Sequence, residues 1–252
     1  MKIHQLIETE ISYVSQFSVI DRYDTYLIAH DDFQKDKYFH NFMMIFDECI
    51  NEDELKAYEN KQLAEGFVIF RFESMNQRAY PLLENYTLET YGYFHAPIDN
   101  LAFSNQVPCQ IKVVDPRNDE AFFDFLYQED MVYGEAYAKS NASRLNQVLT
   151  QYQPNFFYMK LEVDQKMIGH INATVCGAVA KIDEFQIKKS HQRKGYGSAL
   201  MSAMVQTLKE RNIRDVYLVT DMDDTAKDLY VRYGFTHLHS YRQYFKTYQH
   251  SI

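Results

Sequence analysis

The sequence predicts a two-part α+β chain whose second part holds a mixed sheet with at least one parallel strand pair. Three observations carry that expectation. Charge is unevenly spread: the 252 residues sum to −9, yet residues 1–107 hold 8 Lys/Arg against 18 Asp/Glu, while residues 108–252 hold 18 against 17. A split of this kind between halves is a domain-level signal. Runs rich in aromatic and β-branched residues recur along the chain, with helical spacing between several of them. After residue 180, strand, loop, helix, strand and helix follow at a spacing that puts a crossover helix between two strands, and strands so joined pair in parallel.

The elements are expected as follows. Residues 18–30 and 37–47 read as strands. Residues 51–66 read as a helix, capped by Asn51, with Glu52, Asp53 and Glu54 in its first turn and Gly66 at its end. FVIFRF (67–72) is a strand, 75–86 helical or irregular, and 87–95 a strand. The polar passage APIDNLAFSNQVP, bracketed by Pro97 and Pro108, is the inter-domain connection, giving domains 1–107 and 108–252. QIKVV (110–114) is then a short strand, 118–128 and 136–152 are helices, and 156–163 with 167–175 form a hairpin turning at Asp164–Gln165. A strand over 181–187, a polar loop, a helix over 196–210, a strand over 215–220, a helix over 223–233 and a strand over 235–246 close the chain.

Composition excludes several classes. Hydrophobic residues make up 46% and charged residues 24%, so a packed core is available and wholesale disorder is excluded. Net negative charge argues against an indiscriminate nucleic-acid binder. Cys49, Cys109 and Cys176 are far apart and form no CxxC pair, so neither a disulfide framework nor a metal site of known spacing is expected. No stretch resembles a signal peptide or approaches the roughly 18 apolar residues of a membrane span, which makes the cytoplasm the expected compartment.

Chemistry concentrates in IDEFQIKKSHQRKGYGSALMSAMVQTLKE. A basic loop joins a strand to a helix that starts near Gly195 and Gly197. Glycines there allow positive φ and close backbone approach, so successive N–H groups can point at one anion. The helix start adds unpaired donors and partial positive charge, and Lys188, Lys189, Arg193 and Lys194 surround it. A phosphate-bearing ligand explains such a cluster in an acidic chain. Neither the Walker A pattern nor the dinucleotide fingerprint fits, because no Lys-Ser/Thr follows Gly197 and Leu200 stands where Gly or Ala is needed.

Two motifs in order identify a resemblance. Gln192-Arg193-Lys194-Gly195-Tyr196-Gly197 opens a helix directly after a strand, and Asp223 through Ala226, Leu229, Tyr230, Gly234 and Phe235 follow the next strand. Together they resemble the GNAT superfamily of acyl-CoA N-acyltransferases over about residues 109–250. The resemblance implies a mostly antiparallel mixed sheet with a splayed parallel central pair, preceded by a smaller α+β domain that is either a degenerate second copy or an unrelated cap. It implies acetyl-CoA as donor and no metal. The pantetheine arm would lie beside Phe185, Gln186 and Ile187, and the pyrophosphate would meet Gln192, Arg193, Lys194, Gly195, Tyr196, Gly197 and Ser198.

The implied catalytic residues are Tyr230 and Glu184. Tyr230 matches the family's general-acid position near the sulfur, although it can equally pack beside the cofactor. Strand alternation places Ile182, Glu184 and Gln186 on one face and Asp183, Phe185 and Ile187 on the other. A buried Glu184 with a raised pKa would suit a general base, and a salt bridge or recognition of a cationic substrate are the alternatives; Asp183 is the lesser candidate. Asp223 departs from the family's Asn. Ionised Asp only accepts hydrogen bonds, so it contacts the cofactor less well or simply caps the helix. His170 reads as structural and His191 as a loop residue near phosphate. The acceptor is a small-molecule or peptide amine, and the acidic first segment either favours a cationic one or is solvated surface. Neither nucleic acid nor membrane is an expected partner. A non-catalytic protein that binds or senses CoA is the competing reading, kept open by Asp223.

Overall fold

A computed structural model describes residues 2–47, 49–75, 79–103 and 107–248. Among the described residues, eleven strands and six α-helices follow in the order α1 (Ile3–Val14), β1 (Val19–Arg22), β2 (Tyr26–His30), β3 (Phe42–Ile45), α2 (Glu52–Gln62), β4 (Phe67–Phe72), β5 (Thr87–Pro97), β6 (Gln110–Val113), α3 (Glu120–Asp130), α4 (Glu135–Tyr152), β7 (Phe156–Val163), β8 (Lys166–Cys176), β9 (Val179–Ile187), α5 (Tyr196–Glu210), β10 (Asp215–Asp221), α6 (Ala226–Tyr233) and β11 (Thr236–Thr247). No helix among the described residues is long and apolar enough to cross a membrane.

Contacts divide the chain into two units, at points other than the boundary expected between residues 107 and 108. The first comprises Met1–Tyr13, Phe94–Leu218 and Asp228–Thr236; the second comprises Val14–Tyr93, Val219–Lys227 and His237–Ile252. Two features account for the difference. Glu10 of α1 reaches Lys181 of β9 at 3.0 Å, which ties the first residues to the first unit. In the second unit, Arg242–Thr247 of β11 pair antiparallel with Phe67–Phe72 of β4.

The first unit carries the strand order β10-β9-β8-β7-β6. The β6/β7, β7/β8 and β8/β9 pairs are antiparallel, and β9/β10 is parallel, as the crossover α5 requires. Its core includes Phe122, Leu149, Phe156, Phe157, Leu161, Ile171, Leu200, Met201, Met204 and Val216, all at or below 1% exposure. Burying each such side chain is worth about 1.5–3 kcal/mol. The α5 positions Leu200, Met201, Met204, Val205 and Leu208 lie at helical spacing and form its buried stripe.

The second unit repeats part of this plan. β1/β2 and β2/β3 are antiparallel, then β3/β4 is parallel with α2 as crossover. That strand–strand–strand–helix–strand order is the order of β7, β8, β9, α5 and β10. The crossover chemistry is opposite, however. Asn51 caps α2 by accepting from the Asp53 N–H at 3.0 Å, and Glu52, Asp53 and Glu54 occupy its first turn. Carboxylates at that end repel a second anion.

Some elements depart from expectation for local reasons. The strand expected over 18–30 is a hairpin, because Tyr23 N–H closes a turn onto Tyr26 O at 2.9 Å around Asp24. The strand expected over 37–47 begins only at Phe42; the Asn41 side chain bonds Gln34 O, Lys37 O and Asp31 N, and such side-chain bonds compete with a ladder. Helix α6 begins at Ala226 rather than 223. Sequence reasoning missed α1, although Ile3, Leu6, Ile7, Glu10, Ile11 and Val14 have helical spacing. Residues 76–78 of the irregular stretch and 104–106 of the connection lie outside the described residues.

Candidate active site

The parallel pairing of β9 with β10 spans only Val179–Lys181 opposite Asp215–Tyr217, and β9 continues to Ile187. The two strands therefore part after Lys181, ahead of Phe185, Gln186 and Ile187, leaving that edge of β9 as backbone to which an amide-bearing chain can add as another strand. The loop after β9 returns to the strand end: Gln192 Nε2 donates to Ile187 O at 2.9 Å, and Lys194 Nζ donates to Ser190 O at 2.9 Å. Arg193 (φ 59°) and Gly195 (φ 89°) are left-handed. This turns the chain so that the first bond of α5 runs from Ala199 N–H to Gly195 O, and the amides of Tyr196, Gly197 and Ser198 precede it. Those three donors, the helix dipole and two exposed cations form an anion cradle. A Cβ on Gly197 would come within 3.2 Å of Phe185 Cζ, so the Phe185 ring packs under this helix start.

Not every expected cation joins the cradle. Lys188 Nζ sits 4.6 Å from the Phe125 ring centroid on α3. His191 bonds its neighbour Ser190 at 2.9 Å. Ser198 Oγ lies 3.0 Å from Tyr233 OH, joining α5 to α6. Tyr233 was missed by sequence reasoning, and its position one turn after Tyr230 was the available signal.

The strand alternation expected for β9 breaks at Glu184. Asn172 faces Asp183 and His170 faces Gln186 across β8/β9, so β9 holds one extra residue there. Glu184 has φ 48°, uncommon for a non-glycine residue and costing on the order of 1–3 kcal/mol. Its N–H leaves the ladder and donates to Asp183 Oδ1 at 2.9 Å. Asp183 and Gln186 consequently share a face, Phe185 and Ile187 share the α5 face, and Glu184 is exposed rather than buried. The expected burial-raised pKa therefore loses its premise. Gln186 Nε2 donates to Glu129 Oε2 of α3 at 3.0 Å.

Tyr230 is half-buried on α6, with its ring 6.2 Å from Phe235 in an edge-on contact. Asp223 belongs to the second unit. It is exposed, and its N–H donates to Asp221 Oδ1 at 2.8 Å. Helix capping falls instead to Asp224, whose Oδ1 accepts from Ala226 N–H at 2.9 Å.

His170 is 2% exposed, edge-on to Phe122 and Phe125. Burial pulls its pKa down to about 4, against the opposing pull of the Gln186 side chain and the Glu184 backbone. An unfolded imidazole titrates near 6.5. Between these values the unfolded chain binds a proton that the folded one refuses, so stability falls as pH drops from about 6.5 to about 4 and this contribution is flat below. The loss is on the order of 3 kcal/mol. Urea unfolding across that window is expected to show the slope in the native chain and a flatter one in His170→Leu; equal slopes would contradict it.

Residues 122–235 match the model of the Acetyltransferase (GNAT) family. No curated protein matches the chain. Among solved structures, a functionally unknown conserved protein from Staphylococcus epidermidis is similar at TM-score 0.72 and 19% identity, covering 92% of this chain and 95% of that one. A GCN5-related N-acetyltransferase from Kribbella flavida aligns at TM-score 0.71 and 15% identity, covering 98% and 96%. Another from Sphaerobacter thermophilus aligns at TM-score 0.63 and 13% identity, covering 96% and 86%. At these identities the likeness is one of fold, and it extends over nearly the whole chain. The motif pair, the splayed β9/β10 strands and the match over residues 122–235 agree in their likeness to the GNAT acetyltransferase family.

Proposed function

We propose that the protein is an N-acetyltransferase that moves an acetyl group from acetyl-CoA to a primary amine by direct attack in a ternary complex. The observation that carries this reading is the anion cradle at the start of α5, set directly after the end of β9, where pairing with β10 has ceased. The pantetheine amides would add along Phe185–Ile187, and the pyrophosphate would meet the amides of Tyr196, Gly197 and Ser198, with Arg193 and Lys194 alongside. Gln192 braces the loop, and Gly195 supplies its left-handed turn.

Amine attack on a thioester needs a neutral amine and a proton for the departing thiolate. In this reading Glu184 takes the amine proton, directly or through water, from its exposed bulge position. Tyr230 donates to the thiolate. Asp223 in place of Asn is the feature that supports the alternative, a protein that binds CoA without catalysis. The acceptor is a cationic small-molecule or peptide amine. Negative charge for it need not come from the acidic first segment, because the first unit supplies Asp183 and Glu184 itself. Incubation with acetyl-CoA and a broad amine panel is expected to yield free thiol and an acetylated amine by mass spectrometry. Thiol release with no acetylated amine would contradict transfer, and binding without either would favour the alternative.

A further inference from the structure

The face of β8 opposite α5 carries a feature that the proposed transfer does not use. His170, Asn172 and Thr174 alternate along it at 2%, 1% and 1% exposure. Both ring nitrogens of His170, both polar atoms of the Asn172 amide and the Thr174 hydroxyl lack a hydrogen-bond partner. The Gln186 side chain and the Glu184 backbone lie against His170, and the Tyr158 hydroxyl lies against Asn172. Each unsatisfied buried group is costly, and natural cores pair nearly all of them. Here the five atoms lie in register on one strand.

Their neighbours do find partners. Thr174 faces Lys181 and Asn172 faces Asp183 across the ladder, and Lys181 bonds Asp183 at 2.9 Å and Glu10 at 3.0 Å. Tyr158 faces Asn172 on the other side. The surroundings are negative. Burial chiefly, and then the charges of Asp183 and Glu184, hold the Tyr13 hydroxyl un-ionised, and burial with Glu184 and Asp183 does the same to Tyr158. Asp183 is one-third exposed and Glu184 is exposed at the bulge. The polar row thus faces Asp183 across the ladder, next to the bulge that carries Glu184.

Resting on the acetyltransferase reading, we propose that His170, Asn172 and Thr174 are specificity residues for the acceptor: Asp183 and Glu184 take its ammonium, and the row takes hydroxyl or amide groups on the neighbouring carbons. A site built to hydrogen-bond such groups rejects analogues lacking them, because its own polar atoms then stay unpaired. The acceptor class is a hydroxylated or amide-bearing primary amine rather than a plain alkyl amine.

The test compares 2-amino-1,3-propanediol, glucosamine and glycinamide with putrescine and hexylamine, reading thiol release from acetyl-CoA. The native chain is expected to favour at least one of the first three in kcat/KM. In Asn172→Leu and Thr174→Val, that preference over putrescine is expected to fall at least tenfold. The same variants, relieved of unsatisfied groups, are expected to unfold at higher temperature. Acetyl-CoA should still raise their melting temperatures as it does that of the native chain. An unchanged preference, or variants that melt lower and keep it, would make the row structural and overturn the proposal. Acetyl-CoA binding with no turnover of any hydroxylated or amide-bearing amine would overturn it as well. Failure of the underlying acetyltransferase reading looks different: the native chain then shows no stabilisation by acetyl-CoA.

Discussion

Tyr230→Phe is expected to reduce turnover by roughly 10²–10⁴-fold, the range for losing a positioned general acid. The thiolate leaving acetyl-CoA needs a proton, and in the proposed reading the Tyr230 hydroxyl on α6 supplies it. The ring itself is held by Phe235, and the Tyr230 carbonyl accepts from Phe235 N–H at 3.1 Å. Removing the hydroxyl therefore leaves the helix end and the aromatic contact in place. Acetyl-CoA affinity, followed by calorimetry, is expected to stay close to that of the native chain. Unchanged turnover would remove the acid assignment, and parallel loss of affinity and turnover would make Tyr230 a packing residue.

Lys181→Met is expected to destabilise the fold by roughly 3–5 kcal/mol, the usual consequence of stripping one partner from a buried ion pair. Lys181 is 4% exposed and lies 3.8 Å from the Tyr13 ring centroid. Burial works against its charge, but Asp183 and Glu10 outweigh burial and raise its pKa. Glu10 is itself 3% exposed and accepts from Tyr217 OH at 3.0 Å. Without the ammonium its carboxylate is stranded. Urea unfolding should show the loss, and Glu10→Leu in the same chain should recover much of it, because the pair removed together leaves no orphan charge. A loss below about 1 kcal/mol, typical of a surface pair, would contradict the buried geometry.

Much of the first unit is legible in the sequence because local and tertiary demands agree there. Strand β7 and helix α5 lie where their apolar patterns put them, and the glycine loop joins β9 to α5 as its chemistry requires. The bulge is not legible. Nothing in KIDEFQI distinguishes regular alternation from one extra residue, since the break depends on register with β8. That single residue moves Glu184 from the buried face to solvent and brings Asp183 onto the face of Gln186. The division into units also escapes a linear reading: α1 attaches through one carboxylate 171 positions from its lysine, and β11 pairs with a strand from the other end of the chain. The row on β8 could not be recognised in advance either, because HINAT reads as an ordinary half-buried strand until its partners are known.

The most direct measurement is thermal unfolding of the full chain with and without acetyl-CoA, repeated in Arg193→Glu/Lys194→Glu. A ligand at about 100 times its Kd adds roughly 2.7 kcal/mol to the native state, a shift of several degrees for a chain of this size. The expected result is a clear upward shift in the native chain that is lost or much reduced when the loop charges are reversed. No shift at millimolar acetyl-CoA, or an equal shift in the charge-reversed chain, would contradict the placement of the donor on the 192–198 loop.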